Sequence, residues 1–195
     1  MGELTGMIKF SGRVGDTVGY RSNGRDLVRK APKKQGGEPK SEAQKRQRDR
    51  WRDVSALAKA ANDWQKSHIT GLKISAYNNV IKYNASYLSA VDADAGTMSL
   101  PSTYFDNVVS VSELSLTGHK LTATIGELGE CAEIIAIAFD PKSKATTSKI
   151  IKEPGTITLD IPAPLGTGDK VYLFVQGAGP DGALTEVQSQ SATAV

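Results

Sequence analysis

The fold class is decided by six short stretches in the C-terminal half of the chain: Val109-Ser-Val-Ser-Glu-Leu-Ser-Leu116, Leu121-Thr-Ala-Thr-Ile125, Ala132-Glu-Ile-Ile-Ala-Ile-Ala-Phe139, Thr156-Ile-Thr-Leu-Asp-Ile161, Lys170-Val-Tyr-Leu-Phe-Val175 and Leu184-Thr-Glu-Val-Gln188. Apolar and polar residues alternate in these stretches, and glycine, proline and aspartate separate them, which is typical of the strands of an all-β sandwich. Residues 108–195 are close in length to one immunoglobulin-like or fibronectin-III-like domain of roughly 100 residues. The sequence therefore predicts such an antiparallel β-sandwich over residues 108–195.

The run from Leu165 through Gly168 to Tyr172 resembles one corner of the fibronectin-III family. In that family the corner precedes the penultimate strand, and its tyrosine hydroxyl bonds back to upstream backbone. The resemblance implies the same bond for Tyr172.

A helical hairpin is predicted over residues 41–91. The residues Ser41-Glu-Ala-Gln44 match the capping box that opens a helix. Apolar residues then recur at spacings of three and four, which is the period of an amphipathic helix. Trp51 and Trp64 fall on this apolar stripe, so both are predicted to be buried, and a second helical period follows over residues 74–88.

The first 40 residues are predicted to be an extended arm that contains a β-hairpin. They are rich in glycine and short of continuous apolar sequence, so they offer no core of their own. Asn23-Gly24 is a strong signal for a two-residue hairpin turn. A two-stranded hairpin is only marginally stable alone, so we expect its further partner strands to come from another subunit or a larger assembly. Pairing across the turn sets Arg21 opposite Asp26, Tyr20 opposite Leu27 and Val18 opposite Arg29.

These patterns together predict an α+β fold in four segments. Residues 1–40 form a basic extended arm, residues 41–91 a helical hairpin, residues 92–107 a linker without sustained period, and residues 108–195 the sandwich.

The net charge of +3 conceals a strong asymmetry along the chain. Residues 1–70 hold 16 Lys or Arg against 8 Asp or Glu, a charge of +8, whereas residues 71–195 hold 8 against 13, a charge of −5. All eight arginines lie between Arg13 and Arg52. Because arginine binds phosphate and carboxylate groups bidentately, this region is predicted to meet an anionic partner, with a merely solvated basic face as the alternative.

The sequence carries no recognisable motif for catalysis or for binding a cofactor. Gly177-Ala-Gly-Pro-Asp-Gly182 fits the letters GxGxxG, but no helix follows it and Pro-Asp-Gly is turn chemistry. His68 and His119 lie in different segments without the spacing of metal ligands. The lone Cys131 is predicted to be a small buried thiol. We therefore predict no enzyme activity, no cofactor, no metal and no small-molecule substrate.

Three short patterns stand out in the N-terminal third: Gly-x-Val-Gly-x-x-Val-Gly over Gly12–Gly19, Val28-Arg29 followed by Pro32-Lys33-Lys34, and Ala-Gln-x-x-Gln-Arg over Ala43–Arg48. With these patterns, residues 6–52 resemble a family of uncharacterised proteins from Bacteroidota and their phages. That family has no assigned function, so the resemblance implies no active site. The layout is also similar to some phage capsid decoration proteins, whose N-terminal part grips the shell while a sandwich faces outward.

The sequence thus predicts a non-enzymatic structural protein of a large assembly, in particular a phage virion component of capsid, head or decoration type. Its partners are predicted to be other protein subunits in a homo- or hetero-oligomer; the alternative is a nucleic-acid-binding protein that uses the arm on phosphate backbone. No long apolar run and no signal-peptide pattern occurs, so we expect no membrane partner and a location in the virion or the bacterial cytoplasm. The residues predicted to bind the partner or an anion are Arg13, Tyr20, Arg21, Arg25, Arg29, Lys33, Lys34, Arg46 and Arg50.

Overall fold

The computed structural model describes residues 2–3, 12–22, 25–31, 41–69, 74–103 and 105–194. Its internal contacts divide the chain into two units, Met1–Ser41 and Glu42–Val195.

The first unit is a four-stranded antiparallel sheet built around the hairpin. Its strands are β1 (Gly2–Glu3), β2 (Gly12–Val14), β3 (Thr17–Ser22) and β4 (Arg25–Lys30), in the order β1-β4-β3-β2. The turn residues Asn23 and Gly24 lie outside the described residues. The predicted register is confirmed, since Val18 pairs with Arg29, Tyr20 with Leu27 and Arg21 with Asp26.

Both outer strands of this sheet come from the same chain. β1 pairs with β4, and β2 pairs with β3. Gly15 has a φ of 58°, which allows the chain to reverse between β2 and β3 within two residues. The expectation that another subunit supplies the partner strands is therefore wrong for these two strands, because neighbouring sequence already extends the hairpin into a sheet.

The second unit contains an antiparallel β-sandwich. A three-stranded sheet, β5-β6-β9, packs on a four-stranded sheet, β11-β10-β7-β8. Inner-face side chains of both sheets, such as Leu121 and Leu173, share one hydrophobic core. The seven strands are β5 (Val111–Thr117), β6 (Lys120–Ile125), β7 (Glu133–Asp140), β8 (Ala145–Ile151), β9 (Gly155–Asp160), β10 (Lys170–Ala178) and β11 (Gln188–Thr193).

Helices form a third layer against the four-stranded sheet. Leu57 and Ala61 of the first helix are buried in a second core together with Ile137 and Phe174 of the sheet. None of the described helices combines the length and hydrophobicity that a membrane span requires. Helices and antiparallel sheets in one chain confirm the predicted α+β class with a β-sandwich. The helices are α1 (Glu42–His68), α2 (Ala76–Tyr83), α3 (Ala85–Ser89) and a short 3-10 helix (Ala95–Thr97).

The structure differs from the predicted separation into helical hairpin, linker and sandwich. Every residue of β7 after Glu133 is buried, because the two faces of this strand lie in two different cores. Residues 92–107 are not a simple linker, since Met98 and Leu100 are buried in the helix-side core. A sheet that is apolar on both faces needs other elements packed against each face. The helices and the sandwich therefore belong to one compact unit.

Candidate partner-binding surface

Alternation along the strands of the first unit gathers arginines on one face of its sheet. Residues directly opposite each other in antiparallel strands share a face. The register therefore sets Arg13, Val18 and Arg29 in one row across β2, β3 and β4. We call this side the basic face. Its members with described side chains are Arg13, Val18, Tyr20, Arg25, Leu27 and Arg29.

The basic face combines guanidinium groups with an aromatic ring. The guanidinium carbon of Arg29 lies 5.5 Å from the centroid of the Tyr20 ring, within the range of a cation–π contact. Arg13 Nε donates a 2.9 Å hydrogen bond to the carbonyl oxygen of Gly15. Such a surface can bind phosphate or carboxylate groups bidentately and can stack on planar groups.

One predicted binding residue of the first unit, Arg21, falls outside the basic face because of its position in the strand. Arg21 lies on the opposite face of the sheet, directly across from Asp26. This cross-strand pairing of opposite charges favours the sheet itself. Lys33 and Lys34 lie outside the described residues. Of the predicted residues in the first unit, the structure thus brings together Arg13, Tyr20, Arg25 and Arg29.

Arg46 and Arg50 lie on α1, in the second unit. Arg50 is half-buried, donates a hydrogen bond to the carbonyl oxygen of Val91, and has its guanidinium carbon 6.0 Å from the centroid of the Tyr87 ring. These contacts hold α1 against α3 and the residues that follow it. Arg50 therefore contributes to packing as well as to the basic charge of α1. Arg46 is exposed and lines a shallow groove of about 390 Å³ between α1 and Leu88.

The two tryptophans of α1 have different surroundings. Trp64 is 3 % exposed, as predicted, whereas Trp51 is 51 % exposed, so the prediction of burial is wrong for Trp51. Residues 41–52 are exposed apart from the half-buried Arg50, and burial of α1 begins at Asp53. The apolar stripe of α1 begins before Asp53, in a part of the helix whose side chains are mostly exposed. Periodicity alone does not indicate where the burial of this stripe begins.

A buried ion pair fixes α1 to the turn between β7 and β8. The carboxylate of Asp53 is buried, with Oδ1 2.6 Å from Lys144 Nζ. The Tyr87 hydroxyl donates a 2.8 Å hydrogen bond to Asp53 Oδ2. Burial and this hydrogen bond raise the pKa of the Tyr87 hydroxyl. The Asp53 carboxylate is buried, whereas the Lys144 side chain is 29 % exposed, and these contacts join α1 to α3 and to the turn after β7.

A second polar cluster joins α1 to β10 inside the helix-side core. Gln176 Oε1 accepts hydrogen bonds from Trp64 Nε1 at 3.3 Å and from Gln65 Nε2 at 2.9 Å. Gln176 Nε2 donates to the carbonyl oxygens of Pro101 at 2.9 Å and Thr185 at 3.0 Å. Buried polar groups need such partners, and here they lock four chain segments together.

Tyr172 ties the 3-10 helix to the sheet. Its hydroxyl donates a 2.9 Å hydrogen bond to Asp94 Oδ2, where the fibronectin-III resemblance implied a bond to upstream backbone. Lys170 Nζ lies 3.2 Å from the same oxygen. Burial alone would raise the pKa of the Asp94 carboxyl, but hydrogen bonds from the Gly96 N–H, Tyr172 and Lys170 lower it overall.

The histidine, cysteine and glycine motifs occupy structural positions. At the end of α1, His68 Nδ1 lies 2.9 Å from the carbonyl oxygen of Trp64, and Nε2 lies 3.2 Å from Glu133 Oε1. Cys131 is buried as predicted, and burial raises the pKa of its thiol. Gly177–Gly182 covers the end of β10 and a turn, as predicted. Among the described residues, no group of three or more His, Cys, Asp or Glu could hold a metal ion.

Comparison with known proteins gives little similarity. No protein-family model and no curated protein matches the chain. Among solved structures, the chain is similar in part to the crystal structure of a family 76 glycoside hydrolase from a bovine Bacteroides thetaiotaomicron strain, with 15 % sequence identity and a TM-score of 0.33. The similar region covers 43 % of this chain and 20 % of that chain. This chain therefore spans about a fifth of the length of the hydrolase.

Proposed function

We propose that this chain is a non-enzymatic structural subunit of a large assembly, in particular a phage virion component, and that the basic face attaches it to a neighbouring protein. The observation that carries the proposal is the collection of Arg13, Arg25 and Arg29 on one side of a small sheet. The location proposed for the protein is the virion, or the bacterial cytoplasm before assembly.

The spacing on the basic face suits an acidic protein surface. Arg13 and Arg29 are separated by two interstrand spacings, roughly 10 Å, which is enough for each guanidinium to bind its own carboxylate. Charge complementarity of this kind speeds encounter and fixes orientation more than it adds affinity.

Removing equal charge from the two faces of the sheet tests this attachment. The variant Arg13→Ala/Arg29→Ala loses two cations from the basic face, whereas Arg21→Ala/Lys30→Ala loses two from the opposite face. We expect the first variant, but not the second, to lose co-sedimentation with particles purified from lysates of the cells that produce them. Equal retention of both variants, or a wild-type chain that mass spectrometry detects only outside particles, would contradict the proposal.

A second candidate function is binding to nucleic acid through phosphate backbone. The contact between Arg29 and the Tyr20 ring favours it, because cation and aromatic ring side by side also bind phosphates and bases. Three arginines on three phosphates give a log–log dependence of affinity on salt with a slope of about −2.7 for duplex DNA. Fluorescence anisotropy with a labelled duplex across a series of NaCl concentrations measures this slope. Absent or salt-independent binding would exclude this candidate and leave the protein attachment standing.

A further inference from the structure

The first three turns of α1 form an exposed basic projection. All residues of Glu42–Arg52 are exposed except the half-buried Arg50, and these turns extend about 16 Å along the helix axis. We call this stretch the basic end; it holds five Lys or Arg against two acidic residues. Ion pairs from Lys45 to Glu42 at 2.8 Å and from Arg52 to Asp49 at 3.2 Å engage two of the cations. Cations near a helix N-terminus oppose the helix dipole, so an acidic partner here offsets a cost within the chain.

Another part of the second unit is strongly acidic. Residues 105–107, 126–132 and 179–186 meet there: Asn107 Nδ2 donates a 2.9 Å hydrogen bond to the carbonyl oxygen of Leu128, and a 3.3 Å backbone hydrogen bond joins the first segment to the third. These three segments contain no lysine or arginine. We call them the acidic end. Their exposed carboxylates are Asp106, Glu127, Glu130, Asp181 and Glu186.

α1 runs from the basic end to the acidic end. Its last residue, His68, lies beside Glu133 at the start of β7 and has its carbonyl oxygen next to Gly182 in the acidic end. Asp53, directly after the basic end, pairs with Lys144 beyond the other end of β7. A helix of 27 residues is about 40 Å long, so the two charged ends lie far apart on one rigid body.

A wide, open cleft borders the acidic end. It has a volume of about 640 Å³ and is lined by Glu133 and the stretch Lys149–Ile157. Ile150 in its wall is 53 % exposed, which is unusual for an isoleucine on a sheet. Two acidic and two basic residues line the cleft, so the cleft itself has no net charge. The excess of negative charge near it comes from the three segments of the acidic end. Gly155 of the same wall pairs with Ile125, two residues before Glu127.

We infer that the basic end of one copy docks on the acidic end of a second copy, with Trp51 seated in the cleft. Trp51 is the half-exposed aromatic side chain of the basic end, and arginines stand on both sides of it in sequence. A buried aromatic anchor within a ring of opposite charges is the usual composition of an effective interface. Because the two surfaces differ and lie at opposite ends of α1, the contact is head-to-tail and builds chains or rings instead of a two-fold dimer. It uses no residue of the basic face, so it does not depend on the attachment proposed above.

Sedimentation velocity of the nuclease-treated full chain tests the head-to-tail contact. We expect oligomers at about 50 mM NaCl that dissociate at about 500 mM, since exposed charges are screened by salt. Arg46→Ala/Arg48→Ala removes cations from the basic end, and Glu127→Gln/Glu130→Gln removes carboxylates from the acidic end. Each variant alone should associate roughly tenfold more weakly than the wild type. An equimolar mixture of the two should form dimers and stop there, because one intact basic end then meets one intact acidic end.

Two further variants separate this contact from general stickiness. Trp51→Ala should weaken association, whereas Tyr83→Ala, which removes an equally exposed aromatic ring from α2, should leave it unchanged. Combining Arg46→Glu/Arg48→Glu with Glu127→Lys/Glu130→Lys in one chain should restore association. A wild-type chain that stays monomeric at low salt, a mixture that stays monomeric, or equal effects of the two aromatic variants would overturn the inference.

Discussion

Removing the helical layer should unfold the sandwich, although the strand pattern alone predicts a β-sandwich domain over residues 108–195. A truncation to residues 108–195 keeps all seven strands of both sheets. It also exposes the face of β7 and β10 that α1 covers. Ile135, Ile137, Phe139 and Phe174 are at most 3 % exposed in the intact chain. Burial of each such side chain contributes about 1.5–3 kcal/mol, so the truncation forfeits about 6–12 kcal/mol of the free energy of unfolding.

That loss is as large as the whole stability of an ordinary domain, about 5–15 kcal/mol. We therefore expect residues 108–195 to show no cooperative urea transition and a poorly dispersed amide NMR spectrum. The matched truncation to residues 42–195 keeps the helical layer and should unfold in one transition with the urea midpoint that the full chain shows for this unit. A cooperative transition and a dispersed spectrum for residues 108–195 would refute the reasoning, because the outer sheet face would then need no cover.

Substitutions at three sites, Trp64, Asp53 and Asp94, test the contacts that hold α1 and the 3-10 helix in place, each by urea unfolding. Trp64→Ala should lower the free energy of unfolding by about 3–5 kcal/mol because the side chain is buried, whereas Trp51→Ala should change it by less than about 1 kcal/mol. Asp53→Asn should cost about 3 kcal/mol because it leaves the Lys144 ammonium without its counter-charge, and a double-mutant cycle with Lys144→Met should show a coupling above about 1 kcal/mol. Asp94 has a lowered pKa, since hydrogen bonds to its carboxylate outweigh the opposing effect of burial. The stabilisation it gives is present above the pKa of an unfolded aspartate, about 3.9, and is lost as the pH falls through the lower folded value. The difference in urea midpoint between wild type and Asp94→Asn should thus be full at neutral pH and shrink below about pH 4.

Local signals were sufficient for the hairpin register and for most strands of the sandwich. A two-residue turn fixes which residues of the two strands lie opposite each other. The pairs from Val18–Arg29 to Arg21–Asp26 therefore follow from sequence alone. Five of the seven strands of the sandwich coincide with predicted stretches. β8 was not predicted, and β11 begins at Gln188, where the predicted stretch Leu184–Gln188 ends. One available signal pointed beyond a two-layer sandwich: Ile134–Phe139 is apolar without interruption, which is the pattern of a strand covered on both faces.

The site and the polar clusters depend on contacts that no local pattern contains. Gln65 and Gln176 are 111 residues apart in the chain and hydrogen bond to each other in the core. Likewise, the charge run of the N-terminal region does not state which arginines share a surface. Strand alternation separates Arg21 from Arg29, and Arg50 is half-buried because it hydrogen bonds to the carbonyl oxygen of Val91. The position of each residue in the folded chain, and not its residue type, decides which of the predicted binding residues share a surface.

The distribution of arginine is not explained by the stability of the fold. Seven of the eight arginines are exposed, and Arg50 is half-buried. The described contacts of Arg52 are with a neighbouring acidic residue one turn away, an exposed pair of a kind that contributes little to stability. Lysine would keep the same surface solvated, whereas the planar guanidinium is the better bidentate ligand for carboxylates and phosphates. The basic face and the basic end are therefore the two surfaces, one on each unit, on which the proposed partner contacts rest.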